Sequence, residues 1–231
     1  GTLDLTGFWQ EKEAEFVPFQ VHKTVFDYDA WVLADRARRE GFLDESDREV
    51  APGEIGELVH VRSTFSHRLR DDADIRLDAD LDGGSLMDVG CYCISGSRMI
   101  AGEEPVQVYG EQVTTADGVD RRFTGVLSFP SGLVATFHCG FDSFSESLEV
   151  TGREGTVFLP DPWHSLRGVL VVDGEEQSVE ARNPYQCELE DMAAAIRGEK
   201  APRLGRDDAM GQARVIDALY RSAEAGEPVA L

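Results

Sequence analysis

A succession of short apolar runs fills the stretch from Pro105 to Arg182, and turn residues punctuate it: Asp117-Gly118, Pro130-Ser131-Gly132, Arg153-Glu154-Gly155 and Asp173-Gly174. Connections this short join antiparallel neighbours, because a parallel pair needs a crossover of a dozen residues or more. The runs PVQVYGEQVTT, RRFTGVLSFP, LVATFHCGF, SLEVTG, GTVFLP, GVLVVDG and EQSVEAR therefore read as the strands of a mainly antiparallel sheet. An earlier run, LVHVRSTF from Leu58 to Phe65, alternates apolar and polar side chains as a half-buried strand does.

Helical periodicity brackets these strands. Between Ser85 and Ala101 apolar residues recur every three to four positions, and Gly102 stops the run, so a helix buried on most sides is expected. Two more follow the strands, Tyr185 to Arg197 before Gly198 and Arg206 to Ala225 before Gly226. The order strand, helix, many strands, two helices is α+β and differs from the regular alternation of a doubly wound domain. A boundary falls near Ala51 to Gly53, dividing the chain into residues 1–52, with one expected amphipathic helix over 27–40, and an α+β domain over 53–231. The first residue is Gly1 and not Met, so a processed product or a fragment is expected.

Charge and composition narrow the partners. The formal net charge of −22 repels a phosphate backbone, which excludes nucleic acid as an expected partner. No apolar run approaches the roughly 20 residues that span a bilayer, and no signal peptide opens the chain, so no membrane partner is expected. Cys91, Cys93, Cys139 and Cys187 lie in apolar or periodic stretches and read as buried free thiols of a reducing cytoplasm. Cys-x-Cys is the wrong spacing for a zinc knuckle, so no metal is expected from the cysteines.

Asp88 and Tyr92 stand four residues apart on the expected helix, so their side chains project one turn apart on one face and can act on one ligand. An apolar helix keeps a carboxylate only where it finds partners. Spacing alone leaves open a capping Asp and a core-packed Tyr.

The run Arg76-Leu-Asp, Gly83-Gly84-Ser-Leu-Met-Asp88-Val-Gly90-Cys-Tyr92 resembles the signature of the Gfo/Idh/MocA oxidoreductases, named for glucose-fructose oxidoreductase, inositol dehydrogenase and a rhizopine-catabolism protein. Ile55-Gly56-Glu57, Leu127-Ser-Phe-Pro-Ser-Gly132, Val150-Thr-Gly-Arg-Glu-Gly155 and the pattern from Tyr185 to Gly226 fit in the same order, covering about residues 53 to 231. The resemblance implies a large open sheet with helices packed on one face, which receives a small sugar or polyol and joins copies into a homo-oligomer. It implies NAD or NADP as cofactor, held by a separate Rossmann domain. It makes Tyr92 the proton donor or acceptor and Asp88 the group that orients the substrate hydroxyl. Arg76, Trp163, Tyr185, Phe65 and His67 are the expected substrate-binding residues.

The chain departs from that pattern in one respect. No G-x-G-x-x-G turn follows a strand, and the nearest relative of the family's Glu-Lys-Pro motif is Glu11-Lys12-Glu13, so no cofactor-binding residue is assigned. The expectation is a substrate domain that is inactive alone; the other reading is a carbohydrate-binding or oligomerisation module without redox chemistry.

Overall fold

The computed structural model describes residues 55–71, 73–164, 167–179 and 183–231; the helix expected over 27–40 and the triplet Glu11-Lys12-Glu13 lie outside them. Strands β1 (Leu58–Ser66), β2 (Gln107–Thr114), β3 (Asp120–Ser128), β4 (Val134–Gly140), β5 (Ser145–Gly152), β6 (Thr156–Leu159), β7 (Val169–Val172), β8 (Glu175–Ser178) and β9 (Val229–Ala230) form one open sheet. Their order is β8-β7-β6-β5-β1-β4-β3-β2-β9. Each strand pair is antiparallel except β1 with β4, which runs parallel with His60 opposite Val134 and Ser66 opposite Gly140.

The turns follow from the residues that form them. Gly118, Gly132 and Gly174 all take positive φ, which glycine adopts without a Cβ penalty. Asp173 shares that conformation at φ 50 and accepts the Thr156 N–H through its carboxylate at 2.7 Å, so the β7–β8 turn is tied back to β6.

Alternation sorts the side chains into two faces. Val61, Phe65, Phe123, Leu127, Ala135, Phe137, Cys139, Leu148 and Val150 are buried in the core. The intervening residues make a polar face, linked across strands by Arg62 to Glu149 at 2.8 Å, His60 to Thr136 at 3.0 Å and Thr124 to His138 at 3.2 Å.

Among the described residues three α-helices accompany the sheet: α1 (Cys91–Ala101), α2 (Pro184–Ile196) and α3 (Arg206–Ala225). Helix α1 packs on β1 and β4, and α3 packs on β2 and α1. Buried Arg98 clamps the two, pairing with Glu104 at 2.6 Å and Asp208 at 3.1 Å while donating to Gln212 at 2.9 Å. Helix α2 buries only Cys187. No helix among the described residues is long and apolar enough to cross a membrane.

The helix expected from Ser85 to Ala101 is interrupted in kind. Its first turn, Leu86–Gly90, is π-helical, and regular α-helix begins only at Cys91. Gly90 lies against β4, where an added Cβ would stand 2.7 Å from Cys139 Sγ. The wide turn is one that helices often adopt at functional sites.

Candidate functional site

The start of the π-turn is held by a buried carboxylate. Asp120, at the beginning of β3 and 2% exposed, accepts the Ser85 hydroxyl at 2.7 Å, the Leu86 N–H at 2.8 Å and the Tyr220 hydroxyl at 2.8 Å. Burial pushes its pKa above the ordinary value, against the pull of those three donors. Gly84, at φ +137, passes so close that an added Cβ would lie 2.2 Å from Asp120 Oδ1. The Gly84 N–H donates to Arg76 O at 2.9 Å, and the Gly83 N–H to Asp78 O at 3.0 Å. The two glycines thus let the Arg76 loop fold directly onto the head of the helix.

That loop contains two single 3-10 turns, Ile75–Leu77 and Ala79–Leu81. Asp74 and Asp78 cap them through their side chains. Arg76 is thereby aimed at the π-turn. Its Nε stands 3.2 Å from Asp88 Oδ2, and its Nη1 pairs with Asp74 at 3.2 Å. Burial opposes the Arg76 charge, but Asp88 and Asp74 outweigh it and raise the pKa.

Asp88 has a second partner in His67, just past the end of β1, whose Nε2 lies 3.0 Å from Asp88 Oδ2. His67 rests against the Phe141 ring at 5.1 Å. The carboxylate is 26% exposed, so it is gripped from two sides and still reachable from solvent.

One turn on, Tyr92 meets Phe65, two residues before His67 at the same end of β1. Its ring stands edge-on to Phe65 at 5.1 Å and tilted to Trp163 at 6.1 Å. Phe65 and His67 are two residues apart, so Asp88 and Tyr92 reach neighbouring points on one side of the β1 terminus.

The remaining expected residues divide. Trp163 is 1% exposed, stacks on Phe65 at 5.9 Å and donates its indole N–H to Thr64 O at 2.7 Å. It backs Phe65 and Tyr92 from within. Tyr185 lies elsewhere, exposed at the start of α2 in a shallow groove of about 490 Å³ lined with Asn183, Gln186, Leu189, Glu190, Ala193 and Arg197. None of these lining residues belongs to the Asp88–Tyr92 group. Sequence reasoning did not single out Asp120 or His164, whose ring stands edge-on to Phe65 at 5.6 Å. Position gave little sign of either: Asp120 opens a strand, and His164 sits in a loop.

Comparison with known proteins decides the ancestry. The GFO/IDH/MocA C-terminal domain matches residues 47–158. D-xylose 1-dehydrogenase (NADP(+)) 2 of Haloferax volcanii is 38% identical over 221 residues, spanning 90% of this chain and 68% of that protein. The chain belongs to the Gfo/Idh/MocA family. Within that family, bovine trans-1,2-dihydrobenzene-1,2-diol dehydrogenase is 31% identical over 137 residues, 55% of this chain and 38% of the enzyme. Aldose-aldose oxidoreductase from Caulobacter crescentus, solved with glycerol, superposes with a TM-score of 0.73 at 25% identity, over 91% of this chain and 62% of that one. This Gfo/Idh/MocA chain thus spans between about a third and two thirds of the length of these relatives.

The head of the site helix does not fit a dinucleotide's phosphates. A pyrophosphate needs free backbone N–H groups at a helix start. Here the head of the site helix already carries the Asp120 carboxylate on the Leu86 N–H.

Proposed function

We propose that this chain provides the substrate-binding and proton-transfer part of an NAD(P)-dependent dehydrogenase acting on a CH–OH group of a sugar or polyol. The observation that carries this reading is the Asp88 carboxylate, held by His67 and Arg76, partly exposed, and one helical turn from Tyr92. The names of its relatives, a xylose dehydrogenase and an aldose-aldose oxidoreductase, supply the substrate class and the redox chemistry.

Oxidising an alcohol requires a base for the hydroxyl proton and a partner that aligns the C–O bond. Asp88 accepts the substrate hydroxyl and sets its direction, since Arg76 and His67 hold its oxygens in place. The Tyr92 phenol takes or returns the proton. Phe65, buried and backed by Trp163, packs against the Tyr92 ring and fixes its orientation. The nicotinamide, when bound, supplies the hydride acceptor; the residues of this site serve the substrate and its proton.

Two measurements test this. In a form of the protein that includes a dinucleotide-binding domain, Tyr92→Phe lowers turnover by about two to four orders of magnitude; near-normal turnover removes Tyr92 from the mechanism. The 231-residue chain alone gives no change in NADH fluorescence on titration; micromolar binding overturns the division of labour.

A second role rests on the polar sheet face. Arg62, Thr124 and their neighbours present paired, half-exposed side chains suited to a homo-oligomer contact. Light scattering that shows a monomer at high concentration rejects it. The four buried free thiols fit a cytoplasmic setting.

A further inference from the structure

The loop between β4 and β5 carries a large apolar side chain into solvent. Phe144 is 70% exposed, the highest value of any aromatic side chain among the described residues; Tyr185 follows at 46%. A single exposed apolar residue is ordinary on a protein surface, and what sets Phe144 apart is its place and its bracing.

The register of the sheet gives the place. Strand β5 pairs antiparallel with β1, with Phe65 opposite Glu146 and Ser66 opposite Ser145. One further step along both segments sets Phe144 beside His67, the residue that grips Asp88. Alternation along β5 buries Leu148 and Val150 in the core, and Phe144 shares their parity, so it belongs to the face that carries the site helix.

The loop is anchored on both sides of the ring. Phe141 is buried and its ring lies 5.1 Å from that of His67. The Asp142 carboxylate pairs with Arg121 at 2.7 Å and with Arg122 at 3.2 Å, and its carbonyl accepts Arg68 Nε at 3.3 Å. After the ring, the Ser145 hydroxyl bonds that of Thr64 at 3.2 Å. Phe144 is thus presented by a braced turn, and little ordering entropy is left to lose when a ligand covers it.

We propose that Phe144 is the stacking platform for the substrate and that it selects a pyranose ring over an open-chain polyol. This rests on the dehydrogenase reading of the same site. A pyranose with its hydroxyls equatorial, such as D-xylose, turns axial C–H bonds to each face and so presents an apolar disc rimmed by hydroxyls. The phenyl ring, which has no donor or acceptor, matches the disc, while the Asp88 carboxylate matches a hydroxyl of the rim. An open-chain polyol offers no such disc and loses more conformational freedom in lying flat. Phe144 moves no proton, so it sets binding and leaves the chemical step to Asp88 and Tyr92.

Two experiments test it, with D-xylose and xylitol as the ring and chain probes. In the form that includes a dinucleotide-binding domain, Phe144→Ala is expected to raise KM for D-xylose about tenfold with kcat little changed, and to leave KM for xylitol where it was. Phe144→Tyr keeps the ring and restores the original KM. An unchanged KM for D-xylose, or an equal rise for ring and chain, overturns the proposal. The second experiment needs no cofactor. In the 231-residue chain, Phe144→Trp sets an indole at the exposed position, and its emission, measured against the unsubstituted chain, shifts saturably to the blue with D-xylose and stays in place with xylitol. Absence of a saturable shift up to the solubility limit of the sugar overturns the proposal. The two readings fail separately: D-xylose bound at the indole without nicotinamide-dependent turnover sinks the dehydrogenase assignment and leaves the platform, whereas normal turnover indifferent to Phe144 does the reverse.

Discussion

Replacing Asp120 with Ala removes the single acceptor on which three buried or partly buried donors converge, and its effect can be worked from the structure. Hydrogen bonds to a charged acceptor contribute about 1.5–3 kcal/mol each on net. The low end applies here, because burial already disfavours the Asp120 carboxylate. Three bonds then sum to about 4 kcal/mol, equivalent to about 10 °C in Tm for a domain of this size. Tyr220→Phe removes one donor and costs about 1.5 kcal/mol. The double variant should match Asp120→Ala within about 0.5 kcal/mol, since the tyrosine hydroxyl has lost its partner. Urea unfolding followed by circular dichroism at pH 7 measures all three. A loss below about 1.5 kcal/mol for Asp120→Ala, or full additivity in the double variant, refutes the view that this carboxylate organises the head of the site helix.

Three further outcomes are expected. The raised pKa of Asp120 means that the folded chain holds its proton more tightly than the unfolded one, so its contribution to stability falls as pH rises from 3.8 through the raised value; Asp120→Asn abolishes that dependence in urea midpoints taken across the range. His164 is raised chiefly by its hydrogen bond to Glu146, so that pair stabilises fully below pH 6.5 and ceases to as pH rises through the folded value; Glu146→Gln therefore lowers the urea midpoint at pH 5.5 and has little effect at pH 9. Gly84→Ala places a methyl group 2.2 Å from Asp120 Oδ1 at a positive φ, and it should cost about 3 kcal/mol or more in the same unfolding assay.

Local rules carried most of the fold and only part of the site. The hairpin turns were legible because Gly118, Gly132 and Gly174 mark positive φ, and the helix ends because Gly102 and Gly226 do. The parallel pairing of β1 with β4 was not, since alternation tells which face a residue takes and nothing of its neighbour. Val229–Ala230 is too short a strand to show a period. The π-turn escaped because a four-residue spacing reads alike in an α-helix. Asp88 and Tyr92 were found by spacing and by resemblance, whereas the grip of His67 on Asp88 spans 21 positions and belongs to tertiary structure. Trp163 was legible as an aromatic near the site, but its depth behind Phe65 depends on β1 and α1 meeting, which composition does not reveal.

The place of β1 in the sheet also bears on how the protein assembles. Strands β2 to β4 can pair as one local meander and β5 to β8 as another, yet the earliest described strand lies between them and hydrogen-bonds to both. Neither meander alone supplies a wall for Phe65 or an anchor for His67. Insertion of that one strand therefore joins the two meanders into a single sheet and brings Phe65 and His67 against the site helix in the same step.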